Sequence, residues 1–277
     1  MSEQNIPLAG VIGCPIAHSK SPRLHGHWLR SLGLPGHYIP MEVKPGDLQQ
    51  ALLGLSKLGF SGVNVTVPHK EAALQIADLV SDRASLIGAA NTLTFQDDGR
   101  IHADNTDGYG FLANLQQQAP EWDPAAGPAT VLGAGGAARA ILSSLLEAGV
   151  PQIYLSNRTR ARAEALREDF GSKISVIDWV QAGNVLEEST TVVNTTSLGM
   201  TGHPELRVPL DGLQKGALVT DIVYTPLQTR LLREAEDMGC VTVDGLGMLI
   251  HQAVPGFERW FGQRPEVDSA IRAVLLR

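Results

Sequence analysis

Lys70 closes the run Gly62-Val63-Asn64-Val65-Thr66-Val67-Pro68-His69-Lys70, which joins an amine to a polar strand face. Period-two alternation over residues 62–67 puts Val63, Val65 and Val67 on one side and Asn64 and Thr66 on the other. Pro68 then predicts a helix reaching to about residue 80, with Lys70 in its first turn. A cation is disfavoured at that end of a helix, which favours loss of its proton. An amine that ordinarily titrates near ~10.4 needs such help to exchange protons at neutrality. A half-exposed strand would account for Asn64 and Thr66 alone; Lys70 turns the reading towards acid/base chemistry. Two more segments carry polar groups that packing does not require. One is Asn105-Thr106-Asp107-Gly108, joined by Asn91: Asp107 suits a helix N-cap, and beside Lys70 it would hold and tune the ammonium. The other is Ser19-Lys20-Ser21-Pro22, where Ser21 is an N-cap candidate before Pro22 and Ser19 has no capping role to fill. Two hydroxyls beside a positive helix end suit a carboxylate.

A second constellation lies further along. Residues 129–132 read as a buried strand, Gly133-Ala134-Gly135-Gly136-Ala137-Ala138-Arg139 as a tight turn, and residues 137–148 as a helix stopped by Gly149. Strand, glycine turn and helix are the context a dinucleotide fingerprint needs, because glycines let a pyrophosphate approach the backbone at a helix N-terminus. The next strand, 152–156, ends where an NAD enzyme carries an acid for the ribose hydroxyl. Here stand Asn157 and Arg158, followed by Arg160 and Arg162, so the site favours a 2′-phosphate, hence NADP. A solvated helix face would also use arginines, but cations in a first helical turn oppose the dipole unless an anion answers them.

These sites need elements to position them. The 277 residues are enough for about two domains, and 43% hydrophobic with 18% charged residues describes an ordinary globular chain. A net charge of −7 argues against nucleic acid or an anionic membrane as the main partner. Cys14 and Cys240 fit no metal spacing, the histidines show none, and a reducing cytoplasm is expected. Residues 1–10 show no secretory pattern, and no apolar run is long enough to span a membrane. Ahead of the fingerprint, strands are predicted at 8–12, 38–43 and 62–67, with helices at 23–32, ended by Gly33, and up to 58, capped by Asp47. Residues 91–95 and 100–103 flank Asp97-Asp98-Gly99 as a hairpin. After the fingerprint come strands near 175–177, 191–194, 217–222 and 241–243, with a clear helix at 227–238. Helices at about 248–260 and 267–276 follow with no strand between them and are expected to return to the first domain. The expected architecture is two α/β domains with a cleft between them: a substrate domain at 1–106 completed by 245–277, and a Rossmann-type NADP domain at 107–244.

Assembled in order, these segments resemble shikimate dehydrogenase from end to end. Val11–Pro22 is similar to the family's N-terminal signature, Asn64–Glu71 to its catalytic segment, and Ala90-Asn91-Thr92 and Asn105–Gly108 to further substrate segments. Gly133–Arg139, Asn157-Arg158-Thr159, Asn194-Thr195-Thr196, Asp221–Pro226 and Gly245–Gln252 continue the match in the family's order. The resemblance implies reversible NADP-linked reduction of 3-dehydroshikimate to shikimate, on the way to chorismate and the aromatic amino acids, by a monomer or homodimer without metal. It implies that Ser19 and Ser21 hold the substrate carboxylate with Tyr224 nearby. Asn64, Thr66, Asn91, Asp107 and Gln252 would surround the ring hydroxyls, with Lys70 as the acid/base group and Asp107 its partner. For the cofactor it implies Gly133, Ala134, Gly135, Gly136, Ala137 and Ala138 at the pyrophosphate and Asn157, Arg158, Thr159 and Arg162 at the 2′-phosphate. Thr195, Ile222, Gly245 and Met248 would lie along the nicotinamide. Ser197-Leu198 departs from the proline and valine of many members. The alternatives are a quinate/shikimate dehydrogenase, some of which use NAD, and a nucleotide-sensing homologue without chemistry, which would be free to lose Lys70 or Asp107.

Overall fold

A computed structural model describes residues 6–277; residues 1–5, part of the segment read for a leader, lie outside the described residues. The chain divides into two α/β units, residues 1–106 with 250–277, and residues 107–249. No helix among the described residues is long and apolar enough to cross a membrane.

The first unit is built on β1 (Leu8–Gly13), α1 (Ser21–Ser31), β2 (His37–Glu42), α2 (Leu48–Lys57), β3 (Phe60–Val65), α3 (Lys70–Ile76), β4 (Leu79–Val80), α4 (Asp82–Ile87), β5 (Thr92–Phe95) and β6 (Ile101–Asp104). Its six-stranded sheet runs β2-β1-β3-β5-β6-β4. The first three strands are parallel, while β3–β5 and the β5–β6 hairpin are antiparallel. Ile12, Leu52, Val63, Val65, Leu93 and Ile101 form its core. The second unit contains α5 (Asp107–Gln118), β7 (Ala129–Leu132), α6 (Gly136–Ala148), β8 (Ile153–Ser156), α7 (Arg160–Phe170), β9 (Ile174–Ile177), β10 (Thr191–Asn194), β11 (Leu218–Asp221), α8 (Arg230–Asp237) and β12 (Val241–Val243). Its strands run β12-β11-β10-β7-β8-β9, and every pair is parallel. This is the doubly wound order that reverses at β7, so a ligand crevice belongs at the carboxyl ends of β7 and β10. After β12 come α9 (Leu246–His251), α10 (Val254–Phe261) and α11 (Ser269–Leu276). Within the first unit α10 packs on β3 and β5, and α11 packs on α1.

Several predicted boundaries move, each for a local reason. The helix expected from Pro68 begins at Lys70, because His69 N–H closes a turn on Thr66 O at 2.9 Å that contains Pro68. It ends at Ile76 instead of reaching residue 80: Asp78 N–H donates to Ile101 O and Asp78 Oδ2 accepts from Ile101 N–H, so residues 79–80 join β6 as a strand. Strand β3 likewise stops at Val65, leaving Val67 67% exposed and off the apolar face assigned to it. Asp47 makes no side-chain cap, since it lies in the 3-10 turn Pro45–Asp47 that leads into α2. The helix predicted over 227–238 starts at Arg230, capped by Thr229. The segment 248–260 is two helices, because Pro255 has no N–H to carry a ladder on from α9.

Gly62 shows how closely α10 sits on the sheet. A Cβ there would overlap Trp260 Nε1 and Leu93 O, and the indole N–H donates to that carbonyl at 3.2 Å. Gly62→Ala is expected to lower unfolding free energy by about 1–3 kcal/mol in urea titration, as overpacking does. An unchanged midpoint would show that the indole moves aside freely.

Candidate active site

In the first unit the candidate residues converge through one bonded set around the ends of β3, β5 and β6. Asn64 is buried on β3. Its Nδ2 donates to Asn91 O at 3.2 Å and to Thr92 Oγ1 at 3.3 Å. Asn91 precedes β5, and its Oδ1 accepts from Thr106 N–H at 2.8 Å and from Thr92 Oγ1–H at 2.9 Å. Asn91 Nδ2 donates to Gln252 Oε1 at 3.3 Å, while Thr106 Oγ1–H donates to Gln252 O at 2.8 Å. Lys70 begins α3, and its carbonyl accepts from Ala90 N–H at 2.9 Å, the residue before Asn91. Thus Asn64, Asn91, Gln252 and the backbone of Lys70 belong to a single array, and Asp107 follows Thr106 in the chain as the first residue of α5. Thr66 is half-buried just past β3, its N–H donating to Ile12 O at 2.9 Å.

The serines are arranged differently from the sequence reading. Ser21 lies inside α1, and the N-cap is Lys20, which has helical backbone angles and no capping side chain. Ser19, which the sequence left without a local partner, accepts at Oγ from Ser21 N–H at 3.3 Å. Both hydroxyls still stand at the start of α1, with Ser21 buried and Ser19 half-buried.

Two supports leave no local signal in the sequence. The Tyr38 hydroxyl donates to Asn64 Oδ1 at 2.6 Å, across 26 residues of chain that no spacing rule spans. Asp104, at the end of β6, takes Arg259 of α10 at 2.6 Å on one oxygen, and on the other Ser81 Oγ–H at 2.7 Å and Asn105 N–H at 2.8 Å. Burial pushes the Asp104 carboxyl up, but the Ser81 and Arg259 bonds and charge outweigh it and hold it below its ordinary value. A carboxyl depressed in the folded state adds stability above its unfolded value of ~3.9, and that stability is lost as pH falls through the folded value. Asp104→Asn is therefore expected to melt below the parent at neutral pH, with the gap closing as pH drops below about 4. A gap that stays constant through that range would show that the ion pair does not stabilise the fold.

The second unit has a glycine turn whose geometry suits a nucleotide. Gly133 has φ +111°, and a Cβ there would strike Thr195 Oγ1, so the turn after β7 closes against the end of β10. Gly135 and Gly136 face open space, and α6 starts with no capping side chain and no acid in its first turn. Its free N–H groups thus fit a phosphate. Ala134 N–H donates to Asn157 Oδ1 at 3.1 Å, and Asn157 Nδ2 to Thr159 O at 2.8 Å, which ties the glycine turn to the end of β8. Ala137 is half-buried; Ala138 is fully buried in the core, so it can offer a ligand only backbone. Among the basic residues, Arg160 is taken by Asp178 at 2.6 Å and Glu164 at 2.9 Å, and Arg139 by Asp169 at 2.8 Å. Arg158 and Arg162 are exposed and form no ion pair with any described residue. Thr195 is buried and its hydroxyl is committed to Leu132 O at 2.8 Å. Ile222 and Met248 are half-buried against the core, and Gly245 lies so close to Ile222 O that no side chain would fit. Buried Asp221 and Asn194, which the sequence reading gave no role, lock these loops. Asp221 accepts from Asn194 Nδ2 and Val223 N–H at 3.0 Å and from Thr229 Oγ1–H at 2.8 Å; Asn194 Oδ1 accepts from Thr196 N–H at 3.0 Å. Tyr224 follows in that second loop, half-buried, its phenol pushed above the ordinary value by burial.

A doubly wound unit with a phosphate turn, in one chain with a unit carrying a lysine and a polar array, defines a nicotinamide-linked oxidoreductase. The family models agree in detail. The shikimate dehydrogenase substrate binding domain matches residues 11–93, the shikimate / quinate 5-dehydrogenase model residues 116–204, and the shikimate 5'-dehydrogenase C-terminal domain residues 245–275. The chain is 68% identical over 271 residues to a protein of Cereibacter sphaeroides named shikimate dehydrogenase (NADP(+)), covering 98% of this chain and 97% of that one. A Thermus thermophilus shikimate 5-dehydrogenase solved with NADP(H) and shikimate superposes with TM-score 0.87 at 38% identity, covering 98% and 99% of the two chains. A Corynebacterium glutamicum quinate dehydrogenase solved with NAD gives TM-score 0.91 at 31% identity, covering 98% of each. The chain belongs to the shikimate dehydrogenase family.

Proposed function

We propose that this enzyme catalyses the reversible NADPH-dependent reduction of 3-dehydroshikimate to shikimate, with Lys70 as the acid/base group. The observation that carries this reading is the array that ties the Lys70 backbone, through Ala90 and Asn91, to Asn64, Thr106 and Gln252. Such an array offers amides and a hydroxyl suited to a polyhydroxylated ring, and it anchors by its backbone the residue whose amine would reach one edge of that ring. Ser19 and Ser21 hold the carboxylate with Tyr224 beside it; Asn64, Thr66, Asn91, Asp107 and Gln252 hold the ring hydroxyls. When ketone becomes alcohol, negative charge develops on oxygen, and a donor within hydrogen-bond reach gives the proton. Lys70 gives that proton, and the Asp107 carboxylate holds the ammonium towards the ring. The bound nucleotide supplies the hydride. Gly133, Ala134, Gly135, Gly136, Ala137 and Ala138 cradle its pyrophosphate by backbone, and Asn157, Arg158, Thr159 and Arg162 receive the 2′-phosphate. Thr195, Ile222, Gly245 and Met248 line the nicotinamide. Action in the cytoplasm, as a monomer or homodimer, belongs to the same reading; unpaired Cys14 and Cys240 support the compartment.

The test is a four-way assay of purified protein with shikimate or quinate, each with NADP or NAD. Reduced-nicotinamide absorbance is expected to grow fast with shikimate and NADP alone. Equal or faster growth with quinate and NAD, the pair suggested by the Corynebacterium likeness, would overturn the assignment.

A further inference from the structure

Within the first unit, the last helix of the chain reaches back to the segment that carries the two serines. Lys20 stands between Ser19 and Ser21 and is the N-cap of α1. A cation is disfavoured at that end of a helix, so a lysine there needs another reason. Its ammonium serves a different helix: Lys20 Nζ donates to Leu275 O at 2.7 Å, 255 positions along the chain. Leu275 lies in the last turn of α11, among the terminal carbonyls that a helix cannot satisfy from within and where a cation is favoured. A second bond pins the other end of the same segment, since Trp28 Nε1–H, further along α1, donates to Glu266 O at 3.2 Å. Residues 266–276 therefore run antiparallel to α1, fastened at both ends, with Ile271 and Leu275 buried. Eight residues are too few to hold a helix on their own. Besides these fastenings α11 has its cap, Asp268, whose Oδ1 accepts from Ile271 N–H at 2.9 Å.

The serines themselves have short-range support. Ser19 N–H donates to Ile16 O at 2.9 Å, Ser21 N–H donates to Ser19 Oγ at 3.3 Å, and α1 has no capping side chain. Lys20 adds the long-range tie. A carboxylate gripped by two hydroxyls needs both at a fixed separation and angle, and the backbone of residue 20 sets them. We infer that Lys20 is a positioning residue that ties the carboxylate subsite at Ser19 and Ser21 to the C-terminal helix, so that α11 sets how strongly the enzyme prefers an acid. The inference rests on the assignment of the two serines to the substrate carboxylate. It gives the last residues of the chain a part in substrate recognition although they carry no group assigned to the substrate.

The experiment compares shikimate with methyl shikimate, whose carboxyl is neutral, through the ratio of kcat/KM for the acid to that for the ester. In Lys20→Met the ratio is expected to fall about three- to ten-fold, part of what a hydrogen bond to a charged group contributes. The loss is expected in the shikimate KM more than in kcat. Asp268→Ala frays α11 at the end remote from Lys20 and is expected to lower the ratio in the same direction. In the double variant no further fall is expected, because the tie is already cut. A lysine that serves stability alone would lower the melting temperature and leave the ratio where it was, which would overturn the inference. A fall in Lys20→Met with none in Asp268→Ala, or falls that multiply in the double variant, would show the ammonium acting without α11 and would overturn it too. Ser21→Ala tests the foundation. The ratio is expected to fall there as well, and an unchanged ratio would overturn the serine assignment and the inference with it. A ratio that falls in Ser21→Ala but holds in Lys20→Met would overturn the inference alone.

Discussion

Lys70→Ala is expected to lower turnover of shikimate by about 10²- to 10⁴-fold, the usual contribution of a positioned general acid or base. The shikimate KM is expected to stay close to that of the parent, because the amides and hydroxyls assigned to the ring remain in place. The backbone of Lys70 holds the array through its carbonyl and Ala90 N–H, and truncation beyond Cβ leaves that bond intact. Stability is not at stake either, since Lys70 is only half-buried at the start of a helix that alanine favours. A rise in KM with turnover preserved would make Lys70 a binding cation and move the proton transfer elsewhere. Where both constants worsen together, a single-turnover measurement of hydride transfer separates the two roles: it slows only if the proton step is impaired.

Arg158→Ala is expected to raise the KM for NADP by about 10- to 100-fold and to leave that for NAD nearly unchanged. A hydrogen bond to a charged group contributes about 1.5–3 kcal/mol, and each 1.4 kcal/mol is ten-fold in affinity. The contrast within the basic cluster makes the experiment sharp. Arg160 is engaged by Asp178 and Glu164, so Arg160→Ala removes exposed ion pairs of small worth and is expected to move neither constant much. Arg158 is exposed at the end of β8, next to the Asn157 amide that fastens the glycine turn. Equal losses for both nucleotides would show that Arg158 serves the shared part of the cofactor and that 2′-phosphate recognition lies elsewhere.

What the sequence reveals and what it conceals divide along physical lines. Strands at 129–132, 191–194 and 241–243 are readable to the residue, because short β-branched runs between turn signals have one outcome in a buried parallel sheet. The glycine turn is equally plain, since strand, Gly133 and helix follow one another without a gap. The ends of α3 and α9 are not legible in the same way. For α3 the cause is a partner far along the chain: Asp78 pairs with Ile101, and no local propensity records that. For α9 the signal is present in Pro255 and is masked by the apolar periodicity around it. The site shows the same split. Residue types and spacing point to Lys70, Asn64 and Asn91, and the family resemblance adds Gln252, yet the atoms that aim them are distant. Tyr38 reaches Asn64 across the sheet, and Arg259 reaches Asp104 across 155 positions. Ser21 looks like a cap because the preference for serine before proline is statistical, while Lys20 already has helical angles.

The proposed chemistry turns on the position of one nitrogen, so a crystal structure of the protein with both shikimate and NADP bound tests it most directly. The Lys70 Nζ is expected within hydrogen-bond reach, about 2.6–3.2 Å, of the alcohol oxygen on the carbon facing the nicotinamide, or one water removed from it. A ternary complex in which that nitrogen points away from the reacting oxygen, with another side chain or only solvent in its place, would contradict the assignment.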